Sequence, residues 1–204
     1  MLAYSFERRV VMTVILDHVV SNHGFLTYRD MEERKLSYPI LKQLLSLGVL
    51  ESDERGIYRL PETYIDEYFS LQYRYPKGIY SLDMALWLHG LSLTIPFDPT
   101  MTFPYGTNTV KIREAGIKPI VVRSHYDIGA MELERQPGQT ILVYDKERSL
   151  VECLRSVYKM DVQVVAPAFK DYFEQGKVNL SKLFHYARLF KVEKKLQSYI
   201  EVLL

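Results

Sequence analysis

The chain has a single cysteine, Cys153, among 204 residues. That excludes an intramolecular disulfide and any cysteine-based zinc site, and it suits a reducing compartment. Charge of one sign is not in excess: 26 Lys and Arg stand against 25 Asp and Glu, a formal net charge of +1. No bulk field therefore draws the protein to nucleic acid or to a membrane, and any charged surface has to be local. The ten glycines never fall in a G-x-G-x-x-G or G-x-x-x-x-G-K pattern, so no phosphate-cradling loop is announced. The histidines, His18, His23, His89, His125 and His185, form no H-x-x-x-H pair, and no G-x-S-x-G elbow occurs. Long apolar runs are missing too. The run "VVMTVIL" is broken by Asp17, which is short for a membrane span or a signal h-region. These absences lead to the expectation of a soluble, cytoplasmic protein, not an enzyme, with no metal, no cofactor and no catalytic residues.

Apolar residues are plentiful at 48%, with 16 Tyr and nine Phe, enough for two cores in a chain of this length. The expected fold is α+β in two domains. Residues 1–75 would form a winged helix-turn-helix with a connecting helix. Residues 76–204 would form a mixed α/β domain with a small sheet and terminal helices.

In the first domain, Val10, Val11, Val14, Ile15 and Val19 have helical spacing, supplemented by Met12, Leu16 and Val20, which predicts a mostly buried helix closed by Gly24. Thr27 and Asp30 stand three apart, where a capping box would open a second, charged helix. Ser37 can cap a third helix with Pro39 in its first turn, and Gly48 can stop it. At 100° per residue, Ile40, Leu41, Leu44, Leu45 and Leu47 share one arc of this helix, and Tyr38, Pro39, Lys42, Gln43 and Ser46 share the other. "VLES" and "GIYRL" then read as short strands joined by the turn "DERG".

Three helices followed by a hairpin is the order of a winged helix-turn-helix, whose third helix enters the major groove while the hairpin lies along the backbone. Such domains also serve as protein-docking modules, and that alternative stands beside DNA binding. The residues available to DNA are Lys35, Tyr38, Lys42, Gln43, Ser46, Arg55 and Arg59. Glu51, Asp53 and Glu54 crowd the wing and would repel phosphate.

Apolar positions at Tyr64, Ile65, Tyr68, Phe69 and Leu71 predict a connecting helix that ends before Pro76. "YSLDMALWLHGL" is apolar nearly all round and predicts a buried helix with a Ser81 cap, so Trp87 and His89 read as packing residues. "TMTFPY", "IKPIVVRS", "GAMELE" and "TILVYD" read as strands. After a capping Asp145, Leu150, Val151, Leu154 and Val157 line one helical face, and three more helices follow near 163–175, 179–190 and 192–203. Two further sets of cations could meet nucleic acid: Lys111, Arg113, Lys118 and Arg123, and then Arg188, Lys191, Lys194 and Lys195. In "YDKERSLVECLRS", a catalytic trio of Asp145, Glu147 and Glu152 competes with a simpler reading, a capping Asp followed by exposed charges at helical spacing. "SHYD" at 124–127 reads as a loop or strand end, because triad members meet through the fold and seldom as sequence neighbours.

The stretches "LLSLGVLESDERGIYRL", "YPKGIYSLDMALWLHGL", "VYDKERSLVECLRS" and "LFHYARLFKVEKKLQSYIEVLL", taken in order, resemble the AbiE-type antitoxins of abortive phage-infection systems. The resemblance runs nearly end to end. Where family members have a stretch like "ERTLVDLLR", this chain has "ERSLVECLR", with Ser149 for Thr and Glu152 for Asp, and its first domain is less basic than is usual. The resemblance implies a winged helix that represses its own operon by binding double-stranded operator DNA, at inverted repeats upstream. It also implies a second domain that neutralises a nucleotidyltransferase-like toxin, with no membrane partner. A protein-docking antitoxin without DNA readout, or a regulator sensing a small ligand in its second domain, are the alternatives.

Overall fold

The first helix, α1 (Leu2–Ser21), is followed by β1 (Phe25–Thr27), α2 (Tyr28–Glu33), α3 (Tyr38–Ser46), β2 (Glu51–Ser52), β3 (Ile57–Arg59) and α4 (Glu67–Arg74). A computed structural model describes the backbone of residues 2–203 and the side chains of residues 12–202. The chain divides into two units: Met1–Arg74 together with Glu134–Ile141, and Tyr75–Leu133 together with Leu142–Leu204.

In the first unit the strands form an antiparallel sheet in the order β1-β3-β2, with Phe25 opposite Arg59 and Glu51 opposite Arg59 on the other side. β1 is not anticipated by the sequence reading. Its three residues are too few to show a period of two, and it is held by its partner β3. Ile15, Val19, Leu26, Ile40, Leu41, Leu44 and Leu50 make the core.

Two apolar stripes differ from expectation. In α1, Ile15 and Val19 are buried, but Val14 and Val20 are exposed, so the helix is one-sided; Val10 and Val11 lie outside the residues whose side chains are described. In α3, Leu47 is 61% exposed, because it is the C-cap residue, where the backbone leaves the helical path that kept Leu44 inward. The capping box is present: the Thr27 hydroxyl accepts from the Asp30 N–H at 3.2 Å while Asp30 accepts from the Thr27 N–H at 2.8 Å. Ser37 sits at the N-cap of α3, but its side chain makes no capping bond.

The second unit contains β4 (Ile79–Tyr80), α5 (Leu82–Leu88), β5 (Thr100–Pro104), α6 (Val110–Glu114), β6 (Lys118–Val122), β7 (Ala130–Gln136), β8 (Gln139–Tyr144) and α7 (Lys146–Cys153). A 3₁₀ turn (Ser156–Tyr158) and helices α8 (Val162–Glu174), α9 (Leu180–Phe190) and α10 (Glu193–Leu203) complete it. The sheet has the order β6-β5-β4-β8-β7 and is mixed: β4 runs antiparallel to β5 and parallel to β8, and β5 runs parallel to β6. The two-residue β4 at the centre and the five-residue α6 fall below the length at which a pattern is readable. Leu86, Leu150, Val151, Phe169, Leu183 and Leu196 anchor the helical core. Val157, expected on the buried face of α7, lies 69% exposed in the 3₁₀ turn, because α7 stops at Cys153. The fold is a mixed α+β arrangement with two small sheets. Among the described residues no helix is long and apolar enough to cross a membrane.

The tip of the β7–β8 hairpin, Glu134–Ile141, belongs to the first unit. Its Gln139 is buried, accepting from the Asp66 N–H at 2.7 Å and donating to the Tyr64 carbonyl at 2.9 Å. Arg135 pairs with Asp66 at 3.3 Å. Asp66 in turn accepts from the N–H groups of Tyr68 and Phe69, which starts α4 in the way an N-cap aspartate does.

Candidate nucleic-acid interface

The amphipathic division of α3 carries the candidate site. With Ile40, Leu41 and Leu44 buried, Tyr38, Lys42 and Ser46 are exposed and Gln43 is half-buried. The Lys42 ammonium lies 5.1 Å from the centre of the Tyr38 ring, a cation–π contact one turn apart that holds a charged and a hydrogen-bonding group on one patch. Ser46 donates to the Gln43 carbonyl at 2.8 Å, which leaves its oxygen lone pairs, but not its proton, for a partner.

Lys35 and Arg55 are exposed, Lys35 in a left-handed conformation (φ 53°) between α2 and α3. Arg59 differs from the expectation of a phosphate contact. Its guanidinium pairs with Glu51 at 3.0 Å and Asp53 at 3.1 Å, and donates to the carbonyls of Leu60, Pro61 and Thr63. Bonded on every side, it neutralises one of these two acids and braces the β2–β3 hairpin. The acidic crowding seen in the sequence is thereby reduced to Glu54 at the tip and one net charge at its base.

Beside α3 lies a groove of about 1150 Å³, lined by Tyr28, Tyr38, Tyr58 and Tyr73, by Lys35, Arg55 and Arg74, and by Glu32 and Glu54. Gly56 lets the hairpin close against it. Its φ of +88° belongs to a turn, and an added Cβ would press on the Tyr73 ring at 3.3 Å. The Tyr28 hydroxyl is held above its ordinary pKa by its hydrogen bond to Glu32, and Tyr58 by burial and then by Tyr38. Both remain protonated donors at neutral pH. The sequence reading found only Tyr38 of these four, because the others come from α2, β3 and α4 and meet through the fold.

The second-unit cations fare unequally. Lys111, Arg113, Lys118, Arg188, Lys191 and Lys194 are exposed, and Arg123 stacks over Tyr105 at 4.6 Å. Lys195 departs from the expected patch: its Nζ donates to the Leu154 carbonyl at 2.9 Å and the Ser156 hydroxyl at 3.0 Å, closing the C-terminal end of α7. Arg123 of the first set and Lys191 of the second line the same cleft.

The segment Asp145–Arg155 is where the structure departs furthest from the sequence reading. Its charges are not exposed. Arg148 and Glu152 are almost fully buried, paired at 3.2 Å with side-chain exposures of 1% and 2%. Arg148 Nη1 also donates to the carbonyls of His125 and Ile128, and its guanidinium lies 3.3 Å from the Tyr144 ring centre. Glu152 further accepts from Arg155 at 3.2 Å and from the Tyr158 hydroxyl at 3.3 Å.

Asp145 caps α7 by accepting from the Arg148 N–H at 2.8 Å, and it accepts from the Tyr186 hydroxyl at 2.6 Å. Lys182 bridges Asp145 and Glu147 at 3.2 and 3.1 Å, and Tyr172 donates to Glu147 at 2.6 Å. Burial pulls the Glu147 carboxyl up, but Tyr172, its own backbone N–H and Lys182 outweigh that and leave it below its ordinary value. The trio considered for catalysis thus ties α7 to α8 and α9. Trp87 is half-buried on α5, and His89 Nε2 lies 2.7 Å from the Tyr144 carbonyl, with its pKa lowered by burial. His125 stands at φ 61° in the loop before β7. Among the described residues no cluster of three or more His, Cys, Asp or Glu could hold a metal ion.

No family model matches this sequence, and no curated protein matches it significantly. Three chains among solved structures match. One is the crystal structure of the Rv2827c protein from Mycobacterium tuberculosis, to which this chain is similar at 11% identity and a TM-score of 0.55, over 88% of this chain and 71% of that one. At that identity the likeness shows the fold alone.

Proposed function

We propose that the first unit is a winged helix that reads double-stranded DNA with α3, and that the protein is an autorepressing antitoxin with no catalysis of its own. The observation that carries the DNA reading is the division of α3: a leucine face locked in the core, and an outward face on which Tyr38, Lys42 and Gln43 stand beside the hairpin that ends in Arg55. A helix so divided, with hydrogen-bonding side chains on a convex face, fits the major groove. Lys42, Lys35 and Arg55 supply phosphate contacts, and Gln43 and Tyr38 supply base-edge contacts. Toxin neutralisation by the second unit rests on the resemblance to the AbiE-type antitoxins.

Fluorescence anisotropy on the DNA upstream of the protein's own gene tests the reading. Gln43→Ala should lose about 1–3 kcal/mol on the cognate site and much less on scrambled DNA. Lys42→Ala should weaken both and lower the slope of log affinity against log salt by roughly one. Equal losses on both sequences for Gln43→Ala would remove base readout.

A second reading, a docking module for the toxin, is favoured by the groove. Its four tyrosines and its near balance of Lys35, Arg55 and Arg74 against Glu32 and Glu54 have the aromatic-rich composition of a protein interface. Replacing Gly56, which shapes the groove, separates the readings if rescue from a co-expressed toxin fails while DNA binding persists.

A further inference from the structure

We propose that the second unit carries an anion pocket for a phosphate monoester of mononucleotide size, a site independent of DNA reading by the first unit. A cleft of about 420 Å³ is lined by the cations Arg123, Arg148, Arg155 and Lys191 and by the His125 imidazole. Only one carboxylate lines it, Glu152, and that group is already held by Arg148 and Arg155. Four cations against one carboxylate leave an uncompensated positive field in the cleft, which attracts an anion.

Arg148 makes this a built site. Its side chain is 1% exposed, held by Nε on Glu152 and by Nη1 on two carbonyls, and it lines the cleft. A guanidinium carries five N–H donors, so one fixed in this way at a cleft wall can still offer donors to an acceptor inside the cleft. Arg155 likewise uses Nη1, for Glu152 and the Tyr158 hydroxyl.

Both guanidinium planes are fixed on one ring, Arg148 at 5.5 Å and Arg155 at 5.2 Å from the centre of Phe190. Two pre-positioned guanidinium forks suit the bidentate geometry of phosphate oxygens, and little side-chain entropy is lost on binding. The cleft is larger than a bare phosphate requires and falls within the size of small-ligand sites. Ile120, Val122, Val157 and Leu189 add apolar wall beside Ser124 and Tyr158, which suits the flat, weakly polar body of a nucleobase. A duplex cannot enter so small a recess.

Isothermal titration calorimetry on the full chain with adenosine monophosphate, inorganic phosphate and adenosine tests the proposal. The monophosphate should bind saturably at one site per chain, inorganic phosphate more weakly, and adenosine without measurable heat. Arg155→Gln, which keeps a donor for Glu152 and Tyr158, should weaken the monophosphate at least about tenfold. So should the double substitution Arg123→Gln with Lys191→Gln, whose side chains are exposed and which carries the test if Arg155→Gln does not fold. Absence of saturable binding by the monophosphate, equal affinity for adenosine, or unchanged affinity in a folded variant of either kind would overturn the pocket. Equal affinity for phosphate and monophosphate would overturn the mononucleotide size while leaving an anion recess.

Discussion

Substituting Arg148 with methionine removes the charge and all three kinds of bond while keeping much of the volume. The Glu152 carboxylate, 2% exposed, loses its closest cation, and the carbonyls of His125 and Ile128 lose a donor. Removing one partner of a buried ion pair costs about 3–5 kcal/mol. The abandoned carbonyls add about 1 kcal/mol or more each where water does not reach them. Arg155 and Tyr158 still hold Glu152, which offsets part of this. The expected loss is therefore about 3–5 kcal/mol.

Trp87 is the only tryptophan and lies on α5, so its fluorescence in a urea titration follows the second unit alone. With a slope of about 2 kcal/mol per molar for a unit of this size, the midpoint should fall by roughly 2 M. Adding Glu152→Leu to R148M should recover part of the loss, because the orphaned carboxylate is then gone. A midpoint change under about 0.5 M, or a double substitution whose losses simply add, would refute the claim that this pair is buried and mutually dependent.

Three further outcomes are expected. Gln139→Ala strands the Asp66 N–H and the Tyr64 carbonyl and should destabilise the first unit by about 1–3 kcal/mol, read as earlier exchange of α4 amides in hydrogen–deuterium exchange. Because the folded Glu147 carboxyl lies below its ordinary value of 4.5, its stabilisation is complete above that pH and is lost as pH falls through the lower folded value. The difference in stability between wild type and Glu147→Gln, followed through Trp87, should be full at neutral pH and close progressively below that ordinary value. If the first unit binds DNA as proposed, Glu51→Gln with Asp53→Asn, which releases Arg59 and removes two hairpin acids, should raise affinity for any duplex severalfold at low salt and converge with wild type at high salt.

Helices with a clear one-sided stripe were readable from the sequence: α3, α8 and α9 stand where their spacing puts them, and the Thr27–Asp30 box is visible four residues at a time. β1 and β4 were not, since strands of two or three residues carry no period and exist only because a longer neighbour pairs with them. In the candidate site, the outward face of α3 was legible from angles alone. The engagement of Arg59 and Lys195 was not, because their partners, Glu51 across the hairpin and the Leu154 carbonyl at the end of α7, are brought near by tertiary structure. Arg148 and Glu152 show the limit most plainly. Their i, i+4 spacing is in the sequence, but the same spacing describes an exposed pair, and only the helices packed around α7 decide between the two.

The hairpin tip also bears on synthesis. The chain leaves the first unit at Arg74, returns at Glu134 and leaves again at Ile141. At about 5–20 residues per second, the ribosome delivers Ile141 roughly 3–13 s after Arg74. Throughout that interval α3 has been made, but the Tyr64 carbonyl and the Asp66 N–H wait for Gln139. The nascent first unit is thus open to proteases and chaperones until the β7–β8 hairpin emerges. A product truncated before Glu134 would carry α3 without the clasp that completes its unit.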